Sequence, residues 1–574
     1  MKKYNLLAFN LKIYQIFIIL AVINFILCFI YFGKLGTFFV DISREVYIPM
    51  AMNDGGVLYK DIFNVYAPLG YQINAFITKI FSDNISVFYA LGYVNSTFIL
   101  WGLYLIARIF FKEDKYNIPF YYCILILFCA IYTISITNYI FPYSYSMVYA
   151  LNSFIWSLVC LLYYKNKEDK KFLYFSFLLF GASLSFKYEF ILFAAVLGYF
   201  FFKDTTLKEK IILSICFITV PLLSYIGLTA KGVTIQDISE AFKYMVMLSK
   251  SQSAHNLYAF LGFIPSAGSL KSTVINALSF SVVCIVLILP VWFIQKFKNV
   301  FCRIIAIAAE IIVLINIKEL MIQSNAGFFS WIGIFTLILF IFFVIKHAKN
   351  FQKDDILFFI LTASTLLISF KSIFNIALNS YGSYYLPLLL LCFLTYMTKY
   401  TKAGKSRLLL VLIIFFAFLF GVSNNIRCKL THNIGVPFDK GTIYLEDFSA
   451  EAIWKTYQYI KNETNTDETI LVLPEGAMLN YLTKRKSDNK YYYLLPSNVE
   501  IFTEEKIVQD LKNNLPDYII MTPRSFIDYK ETFFCESFGV QICKLIPEYY
   551  NPPIIQKGNF DYAIAIYKKR YDKI

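Results

Sequence analysis

Long apolar runs alternate with short basic clusters along the first 421 residues of the chain. Runs of spanning length, roughly 17–25 residues, lie at 13–32, 86–111, 118–137, 143–164, 211–229, 274–295, 304–323, 326–345, 356–372 and 384–400, with a shorter one at 408–421. This pattern predicts transmembrane helices. The run at 172–202 is ambiguous because Lys187-Tyr188-Glu189 interrupts it, so that it crosses either once as one long tilted helix or twice as two short ones.

The basic clusters decide between these two topologies. If the run at 172–202 crosses once, the later clusters at 296–303, 346–353 and 399–407 all fall outside; if it crosses twice, all of them lie inside with the N-terminus. Cytoplasmic loops carry the excess of Lys and Arg. We therefore expect about 13 spans, a cytoplasmic N-terminus and an extracytoplasmic C-terminal segment.

Under this topology the larger polar segments all lie outside, at 33–85, at 230–273 and after 421. The last of these alternates between helical and strand periodicity, which predicts a small α/β layer. The predicted elements are helices at 446–461 and 504–513, a helix that starts at 477–481, and strands at 469–473, 517–521 and 562–567. The fold class expected is an all-α polytopic membrane domain at 1–421, with the outer loop 33–85, followed by an extracytoplasmic soluble α/β domain at 422–574.

Composition supports the membrane assignment and excludes one class of partner. Hydrophobic residues make up 58% of the 574 residues and charged residues only 16%, against roughly 45–50% and 25% in soluble domains. The formal net charge of +15 is spread over the clusters between apolar runs, whereas a nucleic-acid site concentrates it on one element. Of the 11 cysteines only Cys428, Cys535 and Cys543 fall in the C-terminal segment, which permits one disulfide, and no metal-type spacing occurs.

Charged residues follow the first apolar run directly. Asp41, Arg44 and Glu45 are spaced i, i+3 and i+4, so in a helix they share one face. One interpretation is a solvated interfacial helix with an Asp41–Arg44 ion pair. The other is a carboxylate at the bilayer surface that acts as a general base on an acceptor hydroxyl.

Several motifs in the membrane part together resemble a known group of enzymes. In chain order they are Asp41 and Glu45, Tyr47, Gly55-Gly56, Tyr59-Lys60-Asp61-Ile62-Phe63, Pro68-Leu69, Pro142-Tyr143-Ser144, Gly181, Lys187-Tyr188-Glu189, and Tyr381-Gly382-Ser383-Tyr384-Tyr385-Leu386-Pro387. Their order resembles the GT-C superfamily of integral membrane glycosyltransferases. It is most similar to the family 39-like group, the dolichyl- or polyprenyl-phosphate-mannose-dependent protein mannosyltransferases and their bacterial homologues.

The resemblance implies transfer of a hexose or pentose from a polyprenyl-phosphate donor, with inversion, to an acceptor hydroxyl. The acceptor is a lipid, a glycan or a protein on the outer side of the membrane. The enzyme itself is expected to be a multi-pass protein of a bacterial inner or plasma membrane. By the same resemblance Asp41 is the candidate base, Glu45 orients the acceptor or shares a proton, and Asp61 binds sugar hydroxyls or acceptor. The other candidate substrate-binding residues are Arg44, Tyr59, Lys60, Lys187, Glu189 and Tyr384.

The leaving group is a lipid phosphate, which needs cationic help. Some relatives carry a Lys directly before the Pro of the first outer loop, and here that position is Ala67. Lys60, Arg44 or Lys187 replaces it, although Lys187 equally fits a snorkelling lysine at a helix end. No cofactor is certain; a divalent cation, Mg²⁺ or Mn²⁺, between Asp41 and Glu45 fits the oxygen ligands but is not required.

Two other classes stay open. A lipid-linked oligosaccharide flippase or another transporter needs charged groups along a midmembrane path, and Glu310, Lys318 and Glu319 lie within one span. An O-antigen-type polymerase is also a polytopic enzyme with outer loops, but that class lacks the acidic loop directly after the first span.

Overall fold

The fold is taken from a computed structural model of the chain. It describes residues 12–34, 38–40, 42–111, 117–132, 138–203, 205–296, 329–376, 380–401, 428–487 and 490–571, with the single positions 300, 301, 304, 305, 308, 421, 423 and 426. Asp41 lies outside the described residues, as do Glu310, Lys318 and Glu319.

The part of the chain before residue 400 is helical. Its helices are, in chain order, α1 (Ile13–Ile30), α2 (Ile42–Asn53), α3 (Leu69–Ile80), α4 (Ile85–Phe110), α5 (Ile118–Ile126), α6 (Tyr145–Lys167), α7 (Lys170–Phe186), α8 (Ala194–Lys203), α9 (Leu207–Thr229), α10 (Ile235–Lys250), α11 (Gln252–Phe260), α12 (Ala267–Lys296), α13 (Ile332–His347), α14 (Lys353–Ser369) and α15 (Leu386–Lys399). Short 3₁₀ helices at Tyr188–Phe193, Phe370–Ser372 and Tyr381–Tyr385 extend or join them.

Five helical segments in the described part of the chain are long and apolar enough to cross a membrane. They are Ile13–Ile30, Ile85–Phe110, Tyr145–Lys167, Leu207–Thr229 and Lys353–Ser372. Each overlaps a predicted span, so these helices were predictable from hydropathy. The total of about 13 spans stays a prediction.

The segment at 172–202 is broken where the sequence indicated. α7 ends at Phe186, and after the 3₁₀ helix Tyr188–Phe193 the chain turns back as α8. Phe193 packs on Phe180 with ring centroids 5.4 Å apart, and Phe201 packs on Phe177 at 6.1 Å. The reversal is the geometry that two crossings require, and it brings the basic clusters at its two ends to the same side.

Helix α2, at the start of the first outer loop, is not a solvated surface helix. Every residue of α2 from Ile42 to Met52 is buried, including Ser43, Arg44 and Glu45, because α3 packs against one side of α2 and the C-terminal segment against another. The interpretation of this segment as a solvated interfacial helix is therefore wrong.

The C-terminal segment is a small α/β unit, as predicted. Its strands are β1 (Ile434–Phe438), β2 (Gly441–Leu445), β3 (Ile470–Leu473), β4 (Tyr518–Met521), β5 (Ile554–Lys557) and β6 (Ala563–Lys568). Its helices are α16 (Asp447–Glu463), α17 (Met478–Thr483), α18 (Pro496–Phe502), α19 (Glu504–Asn513) and α20 (Val540–Tyr549). β1 and β2 form a hairpin; the other strands form a sheet in the order β3-β4-β6-β5, in which β3 and β4 are parallel and the remaining pairs antiparallel.

Alternation along the strands gives this sheet two buried faces. Leu471, Leu473 and Ile519 pack into a core with α18, α19 and α20. Ile470, Val472 and Ile520 point the other way, into a core that includes α16 and is continuous with that of the membrane part. The C-terminal unit therefore shares a hydrophobic core with the helices below it.

Two close contacts seat the C-terminal unit on the first outer loop. Gly476, at φ +152°, follows β3, and a Cβ there would lie 2.9 Å from a ring carbon of Phe39 and 2.6 Å from Val472 Cγ1. The buried Lys440 forms an ion pair with Asp83, and the Lys440 hydrogen bond and charge lower the pKa of the Asp83 carboxyl against the opposing effect of burial, which is the larger single influence. The site described below depends on this seating.

Among the described residues, Cys535 and Cys543 form a disulfide, while Cys428 is buried and is not part of a disulfide. Disulfides persist in oxidising compartments, so this bond agrees with an extracytoplasmic C-terminal segment.

We expect Gly476→Ala to loosen the C-terminal unit, because the added Cβ overlaps Phe39 and Val472 as well as straining a left-handed backbone. Gly232→Ala is the matched control: its φ is +83° but nothing lies within 4 Å of the new Cβ. Gly476→Ala should cost about 1–3 kcal/mol more than the control, measured as a lower thermal midpoint and faster proteolysis after residue 430. Equal effects of the two substitutions would contradict the proposed contact.

Candidate functional site

Among the described carboxylates of segment 33–85, Glu45 is the most deeply buried, with 0% exposure. Tyr71 of α3 donates its hydroxyl to Glu45 Oε1 at 3.1 Å, and the backbone N–H of Tyr145 donates to Oε2 at 2.9 Å. Tyr145 is the first residue of α6, so the carboxylate lies at a helix N-terminus, where the dipole favours an anion. One side chain thus connects α2, α3 and α6.

The electrostatics of Glu45 are a balance between burial and its partners. Burial raises the pKa of the Glu45 carboxyl, and Arg44, the Tyr145 N–H, the Tyr71 hydroxyl and Lys187 each oppose that rise. Arg44 Nε lies 3.7 Å from Glu45 Oε1. Each carboxylate oxygen accepts one hydrogen bond from the protein, and these two bonds tie α2 to α3 and α6.

Arg44 and Lys187 meet at one aromatic ring. The Arg44 guanidinium carbon lies 4.9 Å from the centroid of Tyr66, and Lys187 Nζ lies 4.8 Å from the same centroid. Ring faces attract cations, so Tyr66 holds two positive groups beside Ala67, the position at which the sequence lacks a cation. Tyr59 fixes Tyr66 by donating its hydroxyl to the Tyr66 carbonyl at 2.5 Å.

A second lysine lies next to Lys187. Lys187 Nζ is 5.5 Å from the ring of Tyr381, and Lys371 Nζ is 5.9 Å from the same ring. Lys371 also lies 4.8 Å from the ring of Tyr258 in α11. Tyr381 donates its hydroxyl to Glu189. We call Lys187, Glu189, Lys371, Tyr258 and Tyr381 the lysine–tyrosine cluster.

Lys371 was missed by sequence reasoning, although a signal existed. It lies at the C-terminal end of the apolar run 356–372, away from the basic clusters. Positive residues concentrate in cytoplasmic loops, so a lone lysine at the opposite end of a span is unexpected. A lysine at the end of a span is usually interpreted as one whose apolar stem lies along the membrane while its ammonium group reaches water. The contacts with Tyr258 and Tyr381 show instead that Lys371 faces other parts of the protein.

The remaining sequence candidates lie in different surroundings. Lys60 and Asp61 are exposed, and Asp61 Oδ2 accepts the backbone N–H of Val57 at 2.9 Å, which closes a turn. Tyr384 is fully buried, with ring centroids 5.5 Å from Tyr139 and 5.8 Å from Tyr381. The structure therefore brings together Arg44, Glu45, Tyr59, Lys187, Glu189 and Tyr384, and it places Lys60 and Asp61 at a surface turn.

The C-terminal unit adds residues that the sequence did not identify. A small cleft of about 10 Å³ is lined by residues of both parts, namely Ser43, Arg44, Glu475, Ala477, Tyr492 and Tyr493. Glu475 is 4% exposed and pairs with Arg524, whose guanidinium carbon lies 4.5 Å from the ring of Phe526. A polar Pro-Glu-Gly turn directly after a buried strand was the available signal.

No metal centre can be assembled from the described residues: no group of three or more His, Cys, Asp or Glu is placed to hold an ion. Asp41 lies outside them, so the predicted Asp41–Glu45 cation site is not tested. Each Glu45 oxygen accepts one protein hydrogen bond and keeps a further lone pair.

Comparisons with known proteins give structural likenesses and no sequence match. No family model and no curated protein matches the chain. Aligned solved structures include the Archaeoglobus fulgidus oligosaccharyltransferase in its apo form, at TM-score 0.49 and 10% identity, over 100% of this chain and 75% of that chain. Another is oligosaccharyltransferase AglB from the same organism with an inhibitory peptide and a dolichol-phosphate, at TM-score 0.44 and 11% identity, over 98% and 74%.

A third is ArnT from Cupriavidus metallidurans bound to undecaprenyl phosphate, at TM-score 0.45 and 9% identity, over 96% of this chain and 97% of that chain. These neighbours are membrane glycosyltransferases of the GT-C superfamily, the superfamily that the sequence motifs resemble. With identities of 9–11% and TM-scores below 0.5, none of them identifies a donor, an acceptor or a reacting residue in this chain.

Glu45 should make stability depend on pH in a defined direction. Because its pKa is raised above the ordinary value of 4.5, the folded protein keeps a proton that the unfolded chain has lost, and stability falls as pH rises from that value to the raised pKa. Glu45→Gln should remove this contribution, which amounts to at most about 1.4 kcal/mol per pH unit within the window.

The measurement is the thermal midpoint of the wild type and of Glu45→Gln across pH, with the exposed Glu463→Gln as control. As pH rises, the thermal midpoint of the wild type should fall relative to that of Glu45→Gln. The thermal midpoint of Glu463→Gln should change with pH in parallel with that of the wild type. Parallel profiles for all three proteins would contradict the assigned burial of the Glu45 charge.

Proposed function

We propose that this protein transfers a sugar from a polyprenyl-phosphate-linked donor to an acceptor hydroxyl on the outer side of a bacterial inner or plasma membrane. The observation that carries the proposal is the lysine–tyrosine cluster beside the buried Glu45. Lys187 and Lys371 share the ring of Tyr381, and their charges repel each other. A phosphate between them relieves that repulsion and meets two charge-assisted hydrogen-bond donors.

A lipid-borne phosphate can reach this cluster from the membrane. Lys371 ends a helical segment that is apolar and long enough to cross a bilayer, so it lies at a boundary between apolar and polar surroundings. Ile191 and Leu192, two and three residues beyond Glu189, are exposed apolar side chains. A prenyl chain lying along them places its phosphate at Lys187, with Arg44 against the same ring of Tyr66.

The transfer is a single displacement with inversion. Asp41 accepts the proton of the acceptor hydroxyl while the acceptor oxygen forms a bond to the anomeric carbon of the sugar. The bond from that carbon to the phosphate oxygen breaks, and its electron pair leaves with the polyprenyl phosphate. Lys187, Lys371 and Arg44 hold the negative charge that grows on the leaving group.

In this proposal Glu45 is a positioning residue. It fixes the first turn of α2, to which Asp41 is directly joined in sequence, against the N-terminus of α6. The acceptor oxygen meets the anomeric carbon beside Arg44 and Glu475, where the C-terminal unit contacts α2, so the C-terminal unit completes the site. A divalent cation at Asp41 remains the sequence-based expectation and is tested by adding a chelator to the assays below.

Asp41→Asn should lower turnover by at least about a hundredfold if Asp41 is the general base. Purified protein in lipid nanodiscs is incubated with a polyprenyl-phosphate sugar and acceptor membranes, and released polyprenyl phosphate is counted. Asp61→Asn, at the exposed turn, is the matched control and should keep most of the activity. Full activity in Asp41→Asn would remove the proposed base, and lipid translocation without release of polyprenyl phosphate would favour a flippase.

Lys187→Met and Lys371→Met should each abolish binding of the lipid phosphate while leaving the protein folded. A ligand that binds only the native state raises the thermal midpoint by mass action. Polyprenyl phosphate should therefore stabilise the wild type and the control Lys231→Met, whose lysine is exposed in an outer loop, but neither cluster variant. An equal shift in all four proteins would place the phosphate elsewhere.

A further inference from the structure

A second and larger cleft lies on the C-terminal unit, apart from the cluster. It has a volume of about 330 Å³ and runs between β1 and the first turns of α16, with the loop before β6 at one end. The lining residues that matter here are Gly435, Pro437, Asp447, Glu451, Trp454 and Asn559. Its volume lies within the roughly 300–1,000 Å³ typical of small-ligand sites, and the proposed transfer chemistry does not use it.

The lining combines an aromatic ring with hydrogen-bonding side chains that are either acidic or neutral. Trp454 is half-buried, and its indole is held by Tyr457, stacked at 5.4 Å, and by Phe438 at 5.8 Å. Asp447, Glu451 and Asn559 are exposed around it and offer carboxylate and amide groups. Glu451 also pairs with Lys455 at 2.7 Å, which fixes its side chain without filling its acceptor capacity.

These groups match a saccharide better than the alternatives. A sugar ring presents an apolar C–H face, which packs on an indole, and a rim of hydroxyls, which carboxylates and amides bind. Two carboxylates in the lining disfavour an anionic ligand. An extended peptide added to the open edge of β1 would meet Pro437, which has no N–H to donate.

The cleft is physically joined to the first outer loop. Phe438, which packs on Trp454, also stacks on Phe38 at 6.0 Å, and the backbone N–H of Tyr444 in β2 donates to the Gly33 carbonyl at 2.8 Å. Phe38 lies three residues before Asp41 in the sequence. A molecule bound at Trp454 is therefore held by the same hairpin that contacts the loop carrying Asp41.

We propose that this cleft binds an uncharged or amino-bearing glycan through Trp454, Asp447, Glu451 and Asn559. Its role as an acceptor-docking site rests on the proposed transferase function, whereas glycan binding itself does not. The acceptor is then a glycan or a glycan-bearing molecule, and it is recognised at a distance from the atoms that react.

The test measures binding to the full chain in nanodiscs, with no donor present and without sugar-headed detergent, which would compete for the cleft. The probes are mannotetraose, chitotetraose, fully deacetylated chitotetraose and the anionic tetragalacturonate, followed by ligand-observed NMR up to about 5 mM. We expect at least one of the first three to bind and tetragalacturonate not to bind.

Four variants locate the binding on the protein. Trp454→Ala should weaken it by about tenfold or more, Trp454→Phe should restore most of it because a ring face remains, and Asp447→Asn should weaken it selectively for the amino probe. Glu463→Gln, at the far end of α16, should change nothing.

Two results would overturn the assignment: no binding of the uncharged and amino probes, or binding that Trp454→Ala leaves intact. Either would leave the transferase proposal standing, because the donor assays do not require the cleft. Conversely, Trp454-dependent binding in a protein that never releases polyprenyl phosphate would retain the glycan cleft and remove the transferase.

Discussion

The buried carboxylate of Glu45 is the constraint on which the outer face depends. A charged or even a neutral carboxyl that is withdrawn from water must find donors within the protein, and Glu45 finds them in α3 through Tyr71 and in α6 through the Tyr145 N–H. Satisfying one side chain thereby fixes how the first outer loop sits on the helices. Arg44, which directly precedes Glu45 in the chain, is held beside Tyr66 as a result.

The same solution recurs for the positive groups. Three cations, Arg44, Lys187 and Lys371, lie against tyrosine rings, an arrangement that keeps a charge partly desolvated without pairing each one with a carboxylate. A ring face takes up none of the N–H donors of Lys187 and Lys371, and these are the donors that the proposed phosphate would use. An abundance of tyrosine, which the composition alone would assign to interfacial belts, here also builds the surroundings of the charges.

The site is assembled from parts of the chain that are far apart in sequence, which explains what the sequence could and could not predict. Hydropathy located the helices α1, α4, α6 and α9, and periodicity located α16, α19, β3, β4 and β6, because these signals are local. The break at Lys187 was also visible. The hairpin β1–β2 and strand β5 were missed, because Gly435, Pro437 and the Pro552-Pro553 pair weaken a strand pattern.

The candidate residues divide in the same way. Arg44, Glu45, Tyr59, Lys187, Glu189 and Tyr384, which were named as candidates through the family resemblance, lie near one another around Tyr66 and Tyr381. Lys60 and Asp61 were candidates on the same grounds but lie at a surface turn, where Asp61 accepts a hydrogen bond from the backbone N–H of Val57. Lys371, Glu475 and Arg524 were missed. Local signals marked the first two as unusual, but only tertiary packing shows what these side chains contact.

The most direct test of the account is to see where the lipid phosphate lies. Cryo-electron microscopy of the protein in nanodiscs with polyprenyl phosphate should show phosphate density between the ammonium groups of Lys187 and Lys371, next to Tyr381 and on the outer side of the membrane. Phosphate density at the opposite end of the helices, beside the basic clusters at 346–353 and 399–407, would contradict it.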